Sequence, residues 1–322
     1  MPWPLSAGVT GRDDRDMSTV TTAHVCPRCE LRFAQPVELL HHVRRDHPTP
    51  EEPEPAPDGR VVLAVDPGRP DPGVAVETAT HLAGQLGAAL EIVAATAPGF
   101  GHDVTAACLQ QRTRESHHAG ATWVSWHDLG DRPPAEAVVT HAGDSPHTWL
   151  CLASRSRTAV GEKVFGSVAG EVLGGSEVPV LVIGPQVEEA SSYNRVVACV
   201  DRSPSAPRVV AAAAELADRL DARLVAVEVS IPDVAGVPLD DDRHLHALVR
   251  HLHREVTTVV LTGHRTWIPI LDFVKDDPGT IVVTGRRPPS AAGRFAFGSV
   301  AINLARQARG PVMVVPNPHE EP

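Results

Sequence analysis

From residue 60 onward, short runs of Val, Leu, Ile and Ala alternate with longer stretches whose apolar residues recur every three or four positions. The short runs are VVLAVD (61–66), ALEIVAA (89–95), TWVSW (122–126), TWLCLA (148–153) and PVLVI (179–183). A second set follows: VVACVD (196–201), RLVAVEV (223–229), TTVVLT (257–262), TIVVTG (280–285) and PVMVV (311–315). Between them the spacing predicts helices over 72–87, 103–118 and 134–142, then over 205–220, 240–254 and 267–276. In 205–220 the apolar stripe is Val209, Ala212, Leu216 and Leu220. Apolar strands alternating with helices predict a parallel sheet covered on both faces. Five strands per set fit a doubly wound α/β domain, with ligands at the carboxyl ends of the strands, near the topological switch point.

The two sets are copies. FGSVA stands at 165–169 and again at 297–301. RVVLAVD (60–66) is matched by RVVACVD (195–201), and EVPVLVIGP (177–185) by RGPVMVVPNP (309–318). A repeat of about 130 residues has the size of a whole domain rather than a solenoid unit. The expected organisation is an N-terminal tail (1–22), a small module (23–48), a Pro/Glu-rich tether (49–59) and two α/β domains (60–186 and 194–317). Five prolines between 48 and 57 predict an extended, semi-rigid tether.

The small module, HVCPRCELRFAQPVELLHHVRRDHP (24–48), carries Cys26, Cys29, His42 and His47 as C-x2-C-x12-H-x4-H. Two thiolates on a knuckle and two imidazoles on one helix can close a tetrahedron around Zn²⁺. Phe33 and Leu39 supply the apolar pair that such a module needs. Spacing and core together closely resemble the two-Cys, two-His zinc finger family, which implies a ββα fold that depends on the metal. By that analogy Gln35, Glu38 and His41 would face bases. One finger reads only about three base pairs. Arg28, Arg32, Arg44 and Arg45 are countered by Glu30, Glu38 and Asp46, and the tether adds Glu51, Glu52, Glu54 and Asp58. DNA affinity rests largely on phosphate contacts, so protein contact or a structural role is favoured over nucleic acid.

In each repeat a first strand ending in Asp (Asp66, Asp201) is followed, after the fourth strand, by small residues and a Gly-Ser pair opening the last helix. This resembles the universal stress protein family, whose pattern is G-x2-G-x9-G-[ST]. The resemblance covers about 60–185 and 195–316. It implies a fold of the adenine nucleotide alpha hydrolase type. It also implies that loop and helix start receive the ribose and phosphates of ATP, with the Asp beside adenine and ribose. Residue by residue, copy one reads Ala153, Ser156, Gly166 and Ser167, and copy two reads Gly285, Pro288, Gly298 and Ser299. Proline removes an N–H and fixes φ, so copy one is favoured as the binding copy. The turn DRSPS (201–205) of copy two is the more family-like. Arg155, Arg157, Arg286 and Arg287 are read as phosphate contacts or as solvated loop charges. Members of the family commonly pair two such domains in a homodimer, which implies that here the copies pair within one chain through their last strands.

Composition narrows the rest. A net charge of -11 argues against broad binding to nucleic acid or anionic membranes. No apolar run reaches the ~18 residues of a membrane span. No secretory pattern opens the sequence, and Met17 is an alternative start. Five Cys without an export signal predict a reducing, cytoplasmic setting. Cys108, Cys151 and Cys199 are expected to be buried, inert thiols. His244, His246, His251 and His253 fall on one expected helix and are read first as a solvated surface. There is no Walker motif or nucleophile elbow, and nothing near Ser167 supplies a base, so the sequence makes no case for a catalytic site. The working expectation is stress-linked adenine-nucleotide sensing with the finger as an interaction arm. The runner-up is a zinc-finger regulator contacting nucleic acid or protein, with the α/β domains as a nucleotide-free scaffold.

Overall fold

The computed structural model describes residues 24–26, 31–46, 57–67, 73–95, 102–143, 147–154, 167–232, 242–286 and 298–317. It divides into two compact units, 1–56 and 57–322.

The first unit is a ββα module. Strands β1 (His24–Val25) and β2 (Arg32–Phe33) pair antiparallel, His24 opposite Phe33, and helix α1 covers Pro36–Asp46. The Cys26 amide donates to the Leu31 carbonyl at 2.8 Å and closes the hairpin. Pro36 suits the first helical position, where no partner for an N–H exists. The Gln35 amide donates to Glu38 Oε2 at 3.3 Å, one half of a capping box.

The second unit holds one ten-stranded sheet. Its elements are β3 (Arg60–Ala64), α2 (Val74–Leu86), β4 (Ala89–Ala94), α3 (His102–His118), β5 (Val124–Asp128), α4 (Pro134–Ala142), β6 (Thr148–Ala153), α5 (Ser167–Gly175) and β7 (Val180–Ile183). The second copy gives β8 (Arg195–Val200), α6 (Ala206–Arg219), β9 (Arg223–Ser230), α7 (Arg243–Val249), β10 (Val256–Thr262), α8 (Trp267–Val274), β11 (Thr280–Gly285), α9 (Ser299–Gln307) and β12 (Val312–Val315). The strand order is β10-β9-β8-β11-β12-β7-β6-β3-β4-β5. Each half is a parallel 3-2-1-4-5 sheet, the doubly wound order with its switch point between first and fourth strands. The halves meet where β12 pairs antiparallel with β7, Met313 opposite Leu181.

Alternation along the strands builds two cores. Val61, Leu63, Leu90 and Ile92 of copy one share one face with Val196, Ala198 and Leu224 of copy two, beneath α2 and α6. Val62, Val93, Leu150 and Leu152 share the other with Val197, Val227 and Val282, together with residues of α4, α5, α8 and α9. Both cores therefore run through the junction. Polar ties reinforce it. Gln85 of α2 donates to the carbonyls of Tyr193 and Leu220 and accepts from the Tyr193 amide. Arg219 of α6 pairs with Asp58 at 2.8 Å and lies over the Trp149 ring. Gly184, just past β7, approaches the Ala305 carbonyl of α9 so closely that a Cβ would sit 1.9 Å from that oxygen.

The helix expected over 240–254 is shorter, Arg243–Val249. The chain then turns to enter β10, and Arg254 is drawn to Asp218 at 2.6 Å and to the Ala222 carbonyl. His251 and His253 therefore lie beyond the helix and share no helical face with His244 and His246. No helix among the described residues is long and apolar enough to cross a membrane.

Candidate functional site

The two switch-point crevices lie at the carboxyl ends of β3 and β6 and of β8 and β11. In copy one Ala64 pairs with Leu152, so Asp66 and Ala153 leave the same end of adjacent strands. Asp66 is exposed, Ala153 half-buried, and Ser167 opens α5 as an exposed residue. Ser156 and Gly166 lie outside the described residues. In copy two Cys199 pairs with Thr284, so Asp201 and Gly285 leave the same end of adjacent strands. Asp201 is exposed, and its Oδ1 accepts the Ser203 amide at 3.1 Å, fixing the turn after β8. Ser203 and Ser205 hydroxyls lie 2.8 Å apart.

Gly285 ends β11 against α6: a Cβ there would stand 3.1 Å from Val209 Cγ2. The small residue thus has a packing reason of its own. Gly298 caps α9 with φ -66° and ψ 145°, a conformation open to any residue, and Ser299 begins the helix. Pro288, Arg155, Arg157 and Arg287 lie outside the described residues.

Arg286 departs from both readings made for it. It is neither a phosphate contact nor a solvated charge, but is 7% exposed. Its Nη1 donates to the carbonyls of Leu173, Gly174 and Ser176 at 3.1, 2.7 and 3.3 Å, and its Nη2 to that of Asn317 at 3.0 Å. The residue caps the carboxyl end of α5 in the other copy, where carbonyls lack helical partners and a cation is favoured. Burial lowers its pKa, opposed by the charge of Glu177.

The copies also differ beside the Asp. Glu228 lies opposite Val200, next to Asp201. It is 8% exposed and accepts from Arg202 Nε and His244 Nδ1, each at 2.9 Å. In copy one Ala64 pairs with Val93, so Ala94 takes the equivalent place beside Val65. A methyl group stands where copy two holds a bonded carboxylate. The sequence signal for this was a lone Glu in RLVAVEV with an Arg directly after the strand-ending Asp.

Burial pushes the Cys151 and Cys199 thiols up to about 12, so both stay protonated. Cys108, expected to be buried, is only half-buried in α3.

In the first unit Cys26 is fully buried at the end of β1, and the rings of Phe33 and His42 are 4.8 Å apart. Cys29 and His47 lie outside the described residues.

Fold and crevices together define tandem doubly wound α/β domains with Asp-bearing switch points. The universal stress protein family model matches residues 59–184 and 192–316, and the chain belongs to that family. A universal stress protein from Archaeoglobus fulgidus DSM 4304 is similar over 80% of this chain and 98% of its own, with 17% identity and a TM-score of 0.57. A putative universal stress protein from Pseudomonas aeruginosa UCBPP-PA14 covers 80% of this chain and 92% of its own, with 14% identity and a TM-score of 0.55. A universal stress protein from Archaeoglobus fulgidus in complex with dAMP is similar over 38% of this chain and 96% of its own, at 19% identity and a TM-score of 0.32. No curated protein matches this sequence.

Proposed function

We propose that this chain is a stress-linked adenine-nucleotide-binding protein whose working crevice is that of copy one. The observation that carries the assignment is the contrast beside the strand-ending Asp. Copy one has Ala94, and copy two has Glu228 bonded to Arg202 and His244. Glu228 with its Arg202 and His244 partners fills the floor beside Asp201 with bonded polar groups that a base would have to cover or displace, whereas the apolar floor beside Asp66 suits a base. Ser167 at the start of α5 would meet phosphate at a helix N-terminus. Asp66 would accept from ribose hydroxyls, with Ala153, Ser156 and Gly166 keeping the loop small enough for backbone donors to approach. In copy two Asp201 forms the turn after β8 and Gly285 packs against α6, while Gly298 and Ser299 open α9.

The ββα unit is a zinc-binding interaction finger in this reading. A buried thiol at the hairpin and an imidazole held against Phe33 suit the donor set of Zn²⁺. Cys26 and His42 would hold the ion with Cys29 and His47, and the metal would supply folding energy to a module too small for a core of its own. Val25, Leu31 and Val37 are exposed on this unit, which favours contact with a protein surface.

Native mass spectrometry of the full-length protein, purified without added nucleotide or metal, tests both parts. Adenine nucleotide should accompany the wild type and Asp201→Ala and be lost from Asp66→Ala. Loss in Asp201→Ala instead would move the site to copy two. A nucleotide-free protein that takes up no added ATP would overturn the reading.

A further inference from the structure

Away from the crevices, three ligand-type side chains from three elements converge beneath α4. Glu91 of β4, His127 of β5 and His141 of α4 bring ligand atoms within 4.8 Å of one another. His141 Nε2 is 2.9 Å from Glu91 Oε2, and the two imidazole rings are 5.0 Å apart. Strand register explains the meeting. Glu91 pairs with Ser125 and Val93 with His127, so these four side chains point to one face, the face on which Val93 packs with Ala135 and Val138 of α4.

The fold does not require this cluster. By register, Glu91 lies opposite Val62 and its counterpart in copy two, Val225, lies opposite Val197. The counterpart of His127 is Val259, opposite Val227 as His127 is opposite Val93. Copy two thus fills both positions with valine and builds the same sheet. Copy one has a carboxylate and an imidazole there, under a helix that contributes a second imidazole.

We propose that Glu91, His127 and His141 bind a divalent transition metal of the zinc class. Two imidazoles and one carboxylate are donors that zinc, cobalt and nickel accept, leaving a position for water. Arg60 sharpens the selectivity. Its Nη1 lies 3.2 Å from Glu91 Oε2 and offsets the carboxylate charge, so the site lacks the several anionic oxygens that calcium or magnesium needs. The same guanidinium donates through Nη2 to the His141 and Ala142 carbonyls and through Nε to Thr148 Oγ1, which fixes the end of α4 that carries His141. Ligand atoms around tetrahedral zinc are roughly 3.4 Å apart. His127, exposed on the edge strand with Nε2 3.4 Å from Ser125 Oγ, is the group that moves inward.

The test uses the full chain carrying Cys26→Ser, so that the finger does not report. Titration with Co²⁺ should give visible absorption of a nitrogen and oxygen site without a thiolate charge-transfer band, reversed by Zn²⁺. Adding His127→Ala or His141→Asn should abolish it. Equal Co²⁺ uptake with and without His127→Ala would overturn the proposal. That exposed position decides the matter even if His141→Asn perturbs folding.

Discussion

Arg286 shows how one side chain can settle what a loop is for. Its guanidinium satisfies carbonyls at the end of α5 from the opposite copy. Arg286→Met should leave those carbonyls without a charged donor and cost about 3 kcal/mol of stability, read as a lower urea midpoint. Glu77, in the first turn of α2, has its pKa raised by a hydrogen bond to Glu189, then by burial and by the Glu189 charge. The folded chain therefore holds this proton more tightly than the unfolded chain. The stability it supplies is complete below the ordinary carboxylate range and is lost as pH rises through the raised value. Glu77→Gln should melt higher than the wild type at pH 8, with the difference closing below about pH 4. At this scale the sequence was partly legible. Asp66, Asp201 and Gly285 fall at strand ends as their place in the pattern implied. The direction in which Arg286 turns was not legible, because its partners at the end of α5 are more than a hundred residues away and all its partners are main-chain atoms.

Among the elements, strands read most cleanly, since a buried parallel strand is a continuous apolar run. Helices read well where both faces differ, as in Ala206–Arg219 against an expected 205–220. The expectation of 240–254 overran because Leu252 keeps a helical spacing after the chain has turned, its amide donating to the Val249 carbonyl at 3.0 Å. The site's asymmetry was hidden for a related reason: Ala94 and Glu228 become equivalent only through strand register. Element packing supplies a sharper test at Gly184, where α9 leaves no room for a methyl group. Gly184→Ala should force β7 and α9 apart and destabilise the protein by about 1–3 kcal/mol in equilibrium unfolding. The same change at Gly87, which ends α2 with φ 62° and has open space around it, should act through backbone strain alone and cost less.

For the molecule as a whole, the cores that run through the junction make residues 57–317 one cooperative body. Thermal unfolding followed by far-ultraviolet and near-ultraviolet circular dichroism should give coincident transitions for this body. Separate melting of the two copies would contradict the shared cores. The antiparallel joint between β7 and β12 has one more consequence, which concerns variation. In a pair of identical chains every substitution is made twice, so a change that helps one half must be tolerated in the other. Here each half has its own stretch of gene. Ser154, which by register holds in copy one the place of Arg286, can stay small while Arg286 reaches across, Val225 can stay apolar while Glu91 gathers two histidines, and Ala94 can stay bare while Glu228 fills its place. The pseudo-twofold joint keeps the halves together and releases them from having to be the same.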